Sequence, residues 1–164
     1  MSNPVQAIPK GYHTITPYLT CKSSAQAIEY YKSVFGATEI MRMSGPDGKI
    51  GHAEMQIGDS KLMLADEFPG MSAAPTPGSK SPCALFLYLE NVDATFNRAV
   101  SAGAKVDMPL ANQFWGDRYG KLTDPFGHQW ALAQHVEDVS PDEMMRRQKE
   151  FAAKMAKGAT AGQS

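Results

Sequence analysis

In the segment GHAEMQI, His52 and Glu54 stand two residues apart. On an extended strand that spacing puts both side chains on one face, where a carboxylate can orient or charge an imidazole for acid/base work. The same spacing suits a satisfied polar pair on a half-solvated sheet. A second concentration of chemistry is Trp115-Gly116-Asp117-Arg118-Tyr119. An aromatic wall with a guanidinium nearby fits a flat or anionic organic ligand. Alternatively, Trp115 packs on the rest of the chain while Asp117 and Arg118 pair with each other. Cys21 and Cys83, 62 residues apart, make neither a CxxC site nor a disulfide framework and read as small hydrophobes. His128 follows a turn glycine and His135 ends a strand, so both read as turn or surface histidines.

The elements that position these residues are legible from periodicity and turn chemistry. Tyr12 to Thr20 is β-branched and aromatic and reads as a strand with an edge or bulge at Pro17. Ser23 to Phe35 reads as a helix with Ala27, Ile28, Tyr31, Val34 and Phe35 on one face and Gly36 as its stop. Strands follow at Thr38 to Met43, Gly51 to Ile57 and Ser60 to Asp66, the last two joined by Gly58-Asp59. Residues 67–82 hold four Pro and two Gly and read as a linker or mobile loop, with a lid role open. The order then recurs: a strand over Cys83 to Leu89, a helix over Val92 to Ala102, and strands over Lys105 to Leu110, Gly116 to Asp124 and His128 to Ala133. The helix ends Gly36-Ala37 and Gly103-Ala104 match at an offset of 67, and Leu62-Met63-Leu64 matches Trp130-Ala131-Leu132 at 68. Each half is therefore βαβββ, and neither alone buries both faces of its sheet. Beyond them, Ser140-Pro141-Asp142-Glu143 is a capping box opening a helix that ends near Ala156 or Lys157, with Met144, Gln148, Phe151 and Met155 on one side. Residues 1–11 and 158–164 read as tails.

Several strings in this order resemble the vicinal oxygen chelate superfamily of glyoxalases, bleomycin-resistance proteins and ring-cleaving dioxygenases, and within it the PhnB-like, glyoxalase-related branch. They are Ile15-Thr16-Pro17-Tyr18-Leu19, Ala27-Ile28-Glu29-Tyr30-Tyr31, Val34-Phe35-Gly36, His52-Ala53-Glu54, Trp115 to Gly120, Asp124 to Trp130 and Glu137 to Pro141, spanning roughly residues 12 to 145. The resemblance implies an α+β fold, two βαβββ modules (12–66 and 83–133) forming a curved mixed sheet around a cavity, plus a C-terminal helix. It also implies a metal site on the first and last strands of each module. Those positions fall here on Thr16, Met63, Ala84 and Ala131, in pairs 68 apart. None offers the imidazole, carboxylate or thiolate that a divalent ion requires. No metal or other cofactor is therefore expected, and one would need a different strand register. His13, three residues from Thr16, has the wrong parity to substitute.

Alternation from those positions directs Tyr18, Lys61, Phe86, Tyr88 and Gln129 to the cavity, with His52, Glu54, Gln56, Asp117, Tyr119, Lys121 and Thr123 beside them. Leu62, Leu64, Leu85, Leu87, Leu122 and Leu132 then lie under the helices. The expected ligand-binding set is Tyr18, His52, Glu54, Phe86, Tyr88, Trp115, Asp117, Arg118 and Tyr119, with His52 and Glu54 as the weak catalytic candidates.

Composition narrows the partners. The 164 residues carry 16 Lys plus Arg against 17 Asp plus Glu, without a basic or acidic block, so nucleic acid has no electrostatic footprint. No apolar run approaches a membrane span and residues 1–11 lack a signal-peptide core, which points to a cytoplasmic protein. The leading expectation is metal-free binding or sequestration of a small organic ligand by a homodimer, as the resemblance to bleomycin-resistance proteins implies. A glyoxalase-related lyase or isomerase acting through His52, Glu54 or Tyr119 is the alternative, and a partner-binding role for the C-terminal helix is a third.

Overall fold

The computed structural model describes residues 5–161. Helix α1 (Ser24–Phe35) buries Ala27, Ile28, Tyr31, Val34 and Phe35, the face that its periodicity marks. It stops at Gly36, whose left-handed φ of 66° only glycine adopts without strain. Strand β1 (Tyr18–Cys21) precedes it, and β2 (Thr38–Ser44), β3 (Ile50–Ile57) and β4 (Ser60–Asp66) complete the first module. The second module repeats the order with β5 (Ala84–Tyr88), α2 (Val92–Ser101), β6 (Lys105–Asn112), β7 (Asp117–Thr123) and β8 (Gln129–His135). Asn91 caps α2 by accepting from Ala94 N–H at 3.0 Å. Helix α3 (Pro141–Ala161) closes the described chain.

The sheet resolves into two four-stranded mixed halves, ordered β1-β4-β3-β2 and β5-β8-β7-β6. The internal repeat is kept at the level of register: Tyr18 pairs with Met63, and Phe86, 68 residues on, pairs with Ala131. Edges β1 and β5 are not paired; a cavity of about 270 Å³ lies between them, lined in part by Leu19 and Leu85.

Both sheets turn one face to a single shared core. From α1, Phe35 packs on Trp130 of β8 with ring centroids 4.4 Å apart, and Tyr31 lies 5.2 Å from the same indole. The helices are also tied to each other, with Arg98 donating to Val34 O and Tyr30 OH donating to Ala99 O. The core therefore sits between the two sheets, around the helices. Met55, Leu64, Leu122 and Leu132 point into it, and the opposite sheet faces point away.

Several boundaries shift from the sequence reading, β6 and β8 each running two residues further to Asn112 and His135, and three differences are larger. β1 begins at Tyr18 rather than Tyr12, because Pro17 has no N–H to continue the ladder; its carbonyl still accepts from Met63 N–H at 2.9 Å. Residues 67–82 are an ordered strap rather than a free linker: Ala74 N–H donates to Glu67, and Thr76-Pro77-Gly78-Ser79 closes a turn with Gly78 at φ 80°. α3 continues four residues past its expected end to Ala161, and residues 162–164 of the expected tail lie outside the described residues, as do 1–4.

Candidate functional site

The helix-free face of the first sheet carries a connected set of polar side chains. Tyr18 OH lies 3.1 Å from His52 Nδ1, and His52 Nε2 lies 3.3 Å from Glu54 Oε1. Tyr12 donates its hydroxyl to the other oxygen of Glu54. A single tautomer satisfies the set: Nε2–H donates to the carboxylate while Nδ1 accepts from Tyr18. The hydrogen bond from Tyr12 is the main influence holding Glu54 below the usual carboxylate range, and the bond from His52 acts in the same direction. The same Tyr12–Glu54 bond pushes the Tyr12 phenol up to about 12, so it remains a neutral donor. Lys61 Nζ donates to Gln56 at 2.9 Å and stands 5.6 Å from the Tyr12 ring centroid. The chemistry available is proton transfer through an imidazole steered by an ionised carboxylate, or hydrogen bonding to a polar ligand.

The corresponding face of the second sheet is aromatic around one buried acid. Asp117, only 3% exposed, accepts from Tyr88 OH and Trp115 Nε1, each at 3.1 Å, and from His135 Nδ1 at 2.9 Å. His135 Nε2 reaches Asp138 at 2.9 Å, and these two carboxylates raise the imidazole's pKa. Phe86 stacks on Tyr119 with centroids 5.6 Å apart and lies 5.1 Å from Tyr88, while Trp115 meets the Tyr119 ring edge-on at 5.7 Å. Ala131 and Ala133 form the floor with the buried Tyr119, and the two alanines are small enough to leave Phe86 and Tyr88 uncovered. Phe86 and Tyr88 are 51% and 65% exposed. Gly116, at φ 98°, allows this corner: a Cβ there would sit 2.1 Å from Glu137 O.

Alternation alone places most of these residues, because the register breaks lie between β2 and β3 and between β6 and β7, while the β3–β4 and β7–β8 ladders run unbroken. Arg118 is apart from the others. Its guanidinium turns to the helix side and forks onto Asp93 of α2 at 2.6 and 2.7 Å, with Asn112 as a further acceptor, and it does not pair with Asp117. The structure therefore brings together Tyr18, His52 and Glu54 on one sheet and Phe86, Tyr88, Trp115, Asp117 and Tyr119 on the other. No hydrogen bond or ring contact joins the two sets among the described residues.

Two members were missed by sequence reasoning. Tyr12 lies an even four residues from Thr16, a parity signal, but the residues between are not a strand. His135 is the register partner of Asp117 on β8, visible only once β7 and β8 are aligned. His128 instead ties β1 to the β7–β8 turn through Thr20 O at 3.0 Å. Cys21 beside it is fully buried, and burial pushes its thiol up to about 12, which removes it as a nucleophile, whereas Cys83, expected to be buried as well, is exposed ahead of β5.

The positions implied for a metal do not fit one. Thr16, Met63, Ala84 and Ala131 present a hydroxyl, a thioether and two methyl groups. Among the described residues no group of three or more His, Cys, Asp or Glu side chains is arranged to hold an ion.

Comparison with known proteins agrees with the doubled fold. An uncharacterised Mycobacterium bovis protein, Mb0911c, is 43% identical over 134 residues, covering 79% of this chain and 88% of the relative. The crystal structure of PA1353 from Pseudomonas aeruginosa is 28% identical and superimposes with a TM-score of 0.63, covering 76% of this chain and 99% of that one. The PhnB protein from Bacillus cereus, at 21% identity and a TM-score of 0.58, shares the fold over 74% of this chain and 99% of its own. The family model described as the glyoxalase/bleomycin resistance protein/dioxygenase superfamily matches residues 12–132, and the chain belongs to that superfamily.

Proposed function

We propose that this protein binds a small, flat organic ligand, without a metal, in a cavity completed by a second copy of the chain. The observation that carries the reading is the aromatic face of Phe86, Tyr88, Trp115 and Tyr119, left open on a sheet whose implied metal positions carry no ligands. Both sheets spend their helix sides on one shared core, so the two outward faces diverge within a chain. A partner copy supplies the missing wall if its first-module face, with Tyr18, His52 and Glu54, covers the aromatic face. Stacking on the rings provides affinity and the polar set provides orientation, which suits sequestration as in bleomycin-resistance proteins. No helix among the described residues is long and apolar enough to cross a membrane.

The test is a thermal-shift screen of planar aromatic compounds and of divalent metals, because only a native-state ligand raises the midpoint. An aromatic hit that quenches Trp115 fluorescence and is lost in Tyr119→Ala is the expected outcome. Stoichiometric metal in the purified protein ends the metal-free reading.

A second reading, a glyoxalase-related lyase or isomerase, is favoured by the Tyr18–His52–Glu54–Tyr12 proton path. A turnover that survives both His52→Ala and Glu54→Ala dismisses it.

A further inference from the structure

At the far end of β7 from Asp117, the strap over residues 75–80 meets the β7–β8 turn and the start of α1 around a cleft of about 1020 Å³. Four lysines from four separate segments line it: Lys22 ahead of α1, Lys80 on the strap, Lys105 opening β6 and Lys121 on β7. Among the described residues none of the four forms an ion pair with a carboxylate, whereas Arg42, Arg118, Arg146 and Arg147 all do. The cleft holds two acids, and both are already engaged. Asp124 accepts from Tyr31, Trp130 and the backbone N–H groups of Phe126 and His128. Asp107 accepts from Thr123 and Gln129. Against four ammonium groups the cleft sets two carboxylates, so in a chain of net charge -1 it holds a local excess of positive charge.

The walls are fixed rather than loose. Gly127, at φ 92°, lets the strap approach so closely that a Cβ there would stand 2.7 Å from Pro75 Cβ. The Thr76–Ser79 turn then holds the strap ahead of Lys80, with both Ser79 N–H and Ser79 OH donating to Thr76 O. The N-terminus of α1 opens on the same cleft through Ser23 and adds the positive end of its dipole.

We propose that this cleft is a binding site for a small molecule bearing two or more phosphate charges. Lysine ammonium groups act as point charges that satisfy the tetrahedral oxygens of a phosphate from several directions. The Ser23, Gln26 and Thr76 side chains on the walls supply neutral donors for the remaining oxygens.

The full-length protein is titrated with pyrophosphate, ribose 5-phosphate and ADP, read by calorimetry and by amide shifts at Lys105, Lys121 and Gly127. At least one compound is expected to bind, more weakly as salt rises, and the compound preferred separates a bare polyphosphate from a sugar or nucleotide source. The double variant Lys105→Gln/Lys121→Gln should weaken binding about tenfold or more while melting at the wild-type midpoint, and Lys105→Arg/Lys121→Arg should restore it. Lys154→Gln on α3 should bind as wild type. The proposal is overturned if none of the three binds at about 5 mM. It is equally overturned if Lys154→Gln weakens binding as much as the double variant, which would mark diffuse charge attraction.

Discussion

The carboxylate of Asp124 accepts four hydrogen bonds, from the Tyr31 hydroxyl and the Trp130 indole at 2.8 Å and from two backbone N–H groups of its own turn at 2.9 Å. It thus joins α1, β8 and the β7–β8 turn at one buried point, 5% exposed. Asp124→Ala strands all four donors and should cost more than about 3 kcal/mol in denaturant unfolding. A loss under about 1 kcal/mol would mean that water replaces the carboxylate. At the second sheet's outer end, His135 bridges Asp138 and Asp117, which together raise its pKa from an ordinary 6.5. Because the folded value is the higher one, the bridge stabilises fully below 6.5 and fades as pH rises through the raised value. The His135 ring, followed by NMR, should titrate above 6.5, and Asp138→Asn should move its midpoint down. An unmoved midpoint would assign the effect to Asp117 alone.

Elements in this protein are held by few, identifiable contacts, which makes their loosening predictable. Helix α3 docks on its own chain through the Phe151 and Phe114 rings, 5.3 Å apart, and through Arg147, which forks onto Glu137 at 2.6 and 2.8 Å. The bond from Arg147 holds Glu137 below its ordinary 4.5, so this anchor persists through neutral solution and weakens as pH falls below 4.5 toward the lowered value. Phe151→Ala with Arg147→Ala should speed amide exchange over residues 141–157 and leave the melting midpoint nearly unchanged. A large drop in midpoint would instead make α3 part of the cooperative core. The strap behaves differently, since Gly127 carries its closest approach. Gly127→Ala combines a positive φ with a clash against Pro75 and should cost about 1–3 kcal/mol and deprotect residues 74–80. Unchanged protection there would show that the strap holds without that contact.

For the whole molecule, the deciding question is which two faces meet around a ligand. If the cavity is shared between copies, a first-module variant (His52→Ala) and a second-module variant (Tyr119→Ala) should each lose an aromatic hit from the screen. Mixing them by refolding should then restore binding, because each heterodimer regains one intact pair of faces. Mixtures that stay inactive while forming heterodimers would place the whole site within one chain. Much of this architecture was legible in the residues themselves. The doubled βαβββ order, the buried stripe of α1 and the shared helix-free face of Tyr18, His52 and Glu54 on one sheet and Asp117 and Tyr119 on the other follow from period, turn residues and a repeat of 67 to 68 positions. Such signals are local, set by backbone geometry within a few residues, and the bulges that could have inverted them fall on the edge strands β2 and β6 or at Gly51 near the start of β3, ahead of His52 and Glu54. Long-range partners carry no such local mark. Arg118 turning to Asp93, His135 reaching Asp117, Tyr12 folding back onto Glu54, and four lysines between positions 22 and 121 lining one cleft all depend on distant segments packing together. The sequence by itself determined the modules and their faces; only the tertiary structure decided which side chains share a site, because contacts between distant segments arise from packing and not from backbone period.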